Sequence, residues 1–94
     1  MNKYAQVLSE VLMTSYVYYH LDENLISDTE YDEKCTWLKS QKRVRLKNGL
    51  DKLINWKQFK TSTSLYYIRE DQYPEGLKRI ALKWLKLGDI HERS

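Results

Sequence analysis

Apolar side chains at Tyr4, Val7, Leu8, Val11, Leu12, Tyr16 and Tyr19 recur at three- and four-residue intervals, which places them on one side of an α-helix. The pattern predicts a first helix over about Lys3 to Leu21. No Pro or Gly interrupts it, so the polar cluster Asp22-Glu23-Asn24 sets its end. A second start signal follows directly. Ser27 stands where it caps a helix, Glu30 lies three residues on as the return partner of a capping box, and Ile26 is placed to staple against Tyr31. Asp28 and Glu30 also put negative charge in the first turn, where the helix dipole favours it. The second helix is therefore expected to begin near Asp28, with Tyr31, Cys35 and Leu38 as its inward stripe.

Beyond it, Lys39 to Lys47 reads either as the fraying end of the second helix or as a linker, and Asn48-Gly49 breaks it. Leu50, Leu53, Ile54 and Phe59 suggest a short third helix, followed by a polar loop from Lys60 to Ser64. Leu65 to Arg69 fits a short strand or a single helical turn. Pro74 suits the first position of a fourth helix running to about Leu87, with Leu77, Ile80, Ala81, Trp84 and Leu85 on one face and Gly88 at the C′ position. The expected fold is mainly α, with an N-terminal helical hairpin (1–40) and two further short helices in a basic C-terminal part (41–94).

With 94 residues the chain has material for one modest core, so a single domain spanning 1–94 is expected. Three Gly, one Pro and 41% hydrophobic residues argue against disorder. Cys35 has no second cysteine to pair with, and His20 and His91 offer no zinc-ligand spacing, so no metal is expected and a reducing cytoplasm fits best. The longest apolar stretch, Val11 to Tyr19, is too short to span a bilayer, and no secretory signal pattern opens the chain. The expected location is the cytoplasm of a bacterial cell, with no membrane attachment.

The charge is divided unevenly. Residues 1 to 38 hold two cations against seven acids, a net of −5, so the formal +3 of the chain leaves +8 to residues 39 to 94. Lys39, Lys42, Arg43, Arg45 and Lys47 are candidate contacts for nucleic-acid phosphates or for a protein partner, and Trp56, Tyr66 and Tyr67 are rings on which bases stack. An ordinary solvated lysine-rich surface accounts for the same residues, and both readings stand at this point.

The densest chemistry lies in the segment from Tyr16 to Asp32, YVYYHLDENLISDTEYD. A helical hairpin here brings rings from the last turn of the first helix beside Tyr31 on the first turn of the second, and Asp28 and Asp32, four apart, share one face. Two tyrosines facing each other make a slot for a flat heteroaromatic ring, and electron-rich rings suit a cationic one such as nicotinamide. Carboxylates beside the slot accept hydrogen bonds from ribose hydroxyls or a carboxamide. The plainer reading is that the tyrosines fill a small core and Ser27 to Glu30 only caps a helix.

Aligned without gaps, this segment resembles the Tyr-Tyr/His-x-x-Asp-x-Pro-x-Ile/Val-Ser/Pro-Asp-x-Glu-Tyr-Asp signature in the small N-terminal helical domain of bacterial NAD-dependent DNA ligases. The resemblance covers roughly residues 4 to 40 and is sharp from 16 to 38. It implies that Tyr18 and Tyr31 flank a nicotinamide ring and that Asp28 and Asp32 contact the NMN portion. Tyr19 falls where family members have His or Tyr. Departures are Asn24 for the usual Pro, Leu25 for a polar residue, and Glu33-Lys34 for a basic-apolar pair. The chain has no Lys-x-Asp-Gly nucleophile motif, no zinc-finger cysteines and no helix-hairpin-helix repeats, so it is not expected to catalyse ligation, and no nucleophile with an oriented base is identifiable.

The expected function is thus a stand-alone module that recognises NMN or NAD without catalysis of its own. Two alternatives stay open. One is a non-enzymatic interaction protein of phage type that binds or inhibits a host protein, such as a ligase or a defence component; the other is a small nucleic-acid binder using the basic half. A monomer or a homodimer fits each of them. A short derivative of this kind suggests, by analogy, a phage or mobile-element protein.

Overall fold

The computed structural model describes residues 3–93, with side chains described for residues 3–86. It is mainly helical, and among the described residues there is no strand. Helix α1 (Lys3–His20) is the spine, packed against α2 (Asp28–Ser40) and against α4 (Glu75–Arg93). Its burial exceeds what one amphipathic stripe requires. All seven residues from Val11 to Val17 are buried, including Thr14 and Ser15. Leu8, Val11, Leu12 and Val17 are fully enclosed. Each such aliphatic side chain contributes roughly 1.5–3 kcal/mol by leaving water.

The α1–α2 turn forms as the polar cluster predicts. Asp22 takes a left-handed backbone (φ 56°), which a short polar side chain tolerates better than a branched one. The Leu21 and Glu23 N–H groups both donate to the Val17 carbonyl, at 3.1 and 3.2 Å. At the start of α2, the Ser27 hydroxyl accepts from the Glu30 N–H at 3.1 Å. Cys35 and Leu38 are buried and Tyr31 is half-buried, which is the expected inward stripe.

The segment 41–47 is a linker, because α2 stops at Ser40 and Gln41 is extended. Gly49, at φ 75°, turns the chain. The single third helix expected from Leu50 to Phe59 is instead two pieces, a 3₁₀ turn at Leu50–Leu53 and α3 (Trp56–Phe59). Ile54 between them is extended and buried. Asn55 then caps α3 by accepting from the Gln58 N–H at 3.2 Å, offering the backbone a helix start where a continuous helix would need none.

Leu65 to Arg69 forms a turn and not a strand. The Ile68 N–H reaches the Leu65 carbonyl at 3.3 Å, and both side chains enter the core. Tyr73, 2% exposed, locks the far end of this loop to α1. Its hydroxyl lies 2.8 Å from Ser15 Oγ, which itself donates to the Leu12 carbonyl, and its ring packs on Tyr16. Helix α4 begins at Glu75, one residue after Pro74, and runs on past Leu87 through Gly88 to Arg93. A glycine inside a helix costs only about 1 kcal/mol, and no proline follows to enforce a stop. Of the expected α4 face, Leu77 and Ala81 are buried and Leu85 is half-buried, while Ile80 and Trp84 remain exposed beside Met13, Leu50 and Pro74 in an open apolar groove.

Candidate functional site

The end of α1, the connector and the first turn of α2 enclose a cavity of about 140 Å³. Tyr18 and Tyr19 enter it from the last turn of α1, and Asp28 and Tyr31 from the start of α2, so four of the five residues expected at a ligand site line one recess. Thr14 and Ser15 on α1 and Asn24 and Ile26 in the connector complete the hairpin side. The outer wall is supplied by Thr63 and Ser64, thirty residues further along the chain.

Within the recess the aromatic rings are not equivalent. Tyr18 and Tyr19 meet edge to face, with centroids 4.9 Å apart and planes at 85°, and they are 54% and 38% exposed. Both rings are therefore open in part to a ligand entering from solvent. Tyr31 is fixed instead. Its hydroxyl donates to the Thr63 carbonyl at 2.8 Å, and burial, with the Cys35 thiol beside it, holds that hydroxyl protonated well above the ordinary tyrosine range. Tyr31 therefore clamps the 60–64 loop over the hairpin as well as lining the cavity. A sequence reading had no signal for this, since the bond joins residues 32 apart.

Asp32 departs from the expected constellation. It lies with Thr29, Glu33 and Trp37 along a different, shallow surface of α2. Four residues advance a helix by 40° more than a full turn, and the cavity occupies only one flank of the first turn, which Asp28 and Tyr31 already fill. The carboxylate available to a ligand in the recess is that of Asp28, which also sits where the α2 dipole favours an anion.

Cys35, one turn beyond Tyr31, is buried at 1% exposure, and burial pushes its thiol up to about 11 despite the opposing hydrogen bond with Tyr31. At pH 8 only about one thiol in a thousand would then be the reactive thiolate. Cys35 is expected to react with a thiol-specific disulfide reagent at least tenfold more slowly in native buffer than in denaturant. Equal rates in the two would contradict its enclosure.

The basic residues divide differently. Lys39 lies 6.0 Å from the Phe59 ring centroid, and the Arg43 guanidinium 5.7 Å from that of Trp56, so the 39–47 segment runs alongside α3. Arg43 is committed to an internal partner, with Nη2 3.5 Å from Oδ2 of the fully buried Asp51. Lys42, Arg45 and Lys47 are exposed and make no ion pair among the described residues. Asp51 was not singled out from the sequence, yet it organises this region. Its Oδ1 accepts the Leu46 N–H at 3.1 Å and its carbonyl accepts the Trp56 indole N–H at 2.8 Å.

Among the described residues, no group of three or more His, Cys, Asp and Glu is arranged to hold a metal ion, and no helix is long and apolar enough to cross a membrane. No protein-family model, no curated protein and no solved structure matches the chain.

Proposed function

We propose that this cavity receives a single flat, cationic heteroaromatic ring, the nicotinamide of NMN or NAD, and that the protein is a recognition module with no chemistry of its own. The carrying observation is that Tyr18, Tyr19, Asp28 and Tyr31 line one cavity. Its volume suits one ring and not a dinucleotide, since a cavity of roughly 150 Å³ holds a benzene-sized molecule. The ribose and phosphate would then lie outside the recess, toward solvent.

The lining fits the proposed ring chemically. Exposed tyrosine faces attract a pyridinium, the Asp28 carboxylate offsets its charge, and the hydroxyls of Thr14 and Ser64 and the amide of Asn24 are partners for a carboxamide. The resemblance of residues 16–38 to the ligase segment points to the same ligand. A pure protein-docking role for the hairpin is less well supported, because such anchors protrude into a partner's pocket, whereas these side chains border a recess of their own.

Isothermal titration calorimetry with NMN and NAD tests the reading. Tyr18→Ala, at a largely exposed position, is expected to leave folding intact and weaken NMN binding by about 1–2 kcal/mol, roughly five- to thirtyfold. Asp28→Asn is expected to act in the same direction. Reduced NMN, whose ring carries no charge, should bind more weakly than NMN. Absence of heat with both NMN and NAD at millimolar concentration would remove the proposal.

A further inference from the structure

We propose that residues 39–60 form a second, separate binding surface, which takes the phosphate backbone of nucleic acid without reading its sequence. These 22 residues carry eight of the sixteen cationic side chains of the protein and one acid, Asp51. All eight cations are exposed, and the acid is fully buried. Among the described residues only Arg43 finds an acidic partner, and that partner is Asp51 itself. The other seven have no carboxylate of the described residues within ion-pairing distance, which leaves their field at the surface uncompensated by those residues.

Folding concentrates this charge. The contacts of Lys39 with Phe59 and of Arg43 with Trp56 lay the start of the linker beside α3, so that the cations of 39–47 and those of α3 and its C-cap, Lys57 and Lys60, belong to adjoining segments. The linker has no helix from 41 to 46, and cations at positions 42, 43, 45 and 47 follow one another along it. A polyanion with many phosphates matches a run of exposed cations. An anionic membrane is the less suitable partner, because among the large hydrophobic side chains of the linker only Val44 is exposed, and stable attachment to lipid needs an apolar face as well as charge. The Trp56 side chain is committed to the fold, its indole N–H spent on the Asp51 carbonyl and its ring carrying Arg43, which leaves charge as the recognition this surface offers.

Fluorescence anisotropy with short labelled single- and double-stranded DNA, across a salt series, tests this surface. With at least four phosphates neutralised, duplex affinity should fall on the order of a hundredfold between 50 and 200 mM salt. Lys42→Ala/Arg45→Ala/Lys47→Ala removes three side chains that make no ion pair among the described residues. It should leave the circular dichroism spectrum unchanged and lower the salt slope by about three. Arg79→Ala/Lys83→Ala/Lys86→Ala on α4 should leave the slope as it was. No binding to either DNA at 50 mM salt would overturn the proposal, as would equal losses in the two triple variants or binding to anionic vesicles with none to DNA. NMN binding by the linker variant should be unchanged, which separates this surface from the cavity.

Discussion

Leu12→Ala is expected to lower the unfolding free energy by about 2–5 kcal/mol, a large share of the 5–15 kcal/mol typical of such a domain. Leu12 has no exposed surface and lies in the α1 stretch that is buried on all sides between α2 and α4. Neither flanking helix can collapse into the void without losing its packing on the other neighbours of α1. A loss near 3 kcal/mol corresponds to roughly 12–24 °C in melting temperature for a domain of this size. Ile80→Ala removes the same three carbons at a position 49% exposed and is expected to cost under about 1 kcal/mol. Urea denaturation of the two variants measures the contrast, and similar losses would mean that α1 is not the spine of the core.

The helices were legible where local signals agreed. In α1 the apolar spacing gave the extent to within a residue, and at Ser27 the cap, the acidic first turn and the following stripe all pointed to one start. Signals failed where a local choice competed with a pattern. Leu50, Leu53, Ile54 and Phe59 are apolar at nearly helical spacing, yet Asn55 starts a new helix and Ile54 reaches the core from extended backbone. Gly88 looked like a stop, but a C′ glycine ends a helix only when it turns left-handed. The burial of Thr14 and Ser15 was invisible, because their hydroxyls are satisfied within α1, by the carbonyls of Glu10 and Leu12.

For the candidate site, Tyr18, Tyr19, Asp28 and Tyr31 of the hairpin lining could be read from the sequence, but not Thr14, Ser15, Asn24 or Ile26, and nothing contributed by the loop. Tyr18, Tyr19, Asp28 and Tyr31 are brought together by two helix ends and a short turn, all of it local geometry. Thr63 and Ser64 arrive through a tertiary contact fixed by the Tyr31 hydroxyl, and by the enclosure of Leu65 and Ile68 beyond it. Polar residues in a loop carry no periodicity from which such a position follows. The five cations from Lys39 to Lys47 looked alike in the sequence for the same reason. What distinguishes Arg43 is a buried acid eight residues away, on the far side of the Asn48-Gly49 turn.

That pair gives the second large effect. Arg43→Ala is expected to cost about 3 kcal/mol, at the low end of the range for breaking a buried pair because the guanidinium is itself half exposed. Ordinary substitutions of an exposed cation stay within about 0.5 kcal/mol. The asymmetry follows from who is left behind. When Arg43 is removed, Asp51 remains a buried carboxylate whose Oδ2 has no hydrogen-bond donor among the described residues, with the Leu46 N–H on its other oxygen. Neutralising it should therefore rescue the variant. Arg43→Ala/Asp51→Asn keeps an acceptor for Leu46, abolishes the stranded charge, and should recover about 1–2 kcal/mol relative to Arg43→Ala. Chemical denaturation of the two variants decides the matter: if the double variant is less stable than Arg43→Ala, Asp51 is held by its neighbours' packing and not by the cation. The cycle also bears on the basic surface, since Asp51 ties Arg43 and Leu46, the chain neighbours of Lys42, Arg45 and Lys47, to the 3₁₀ turn.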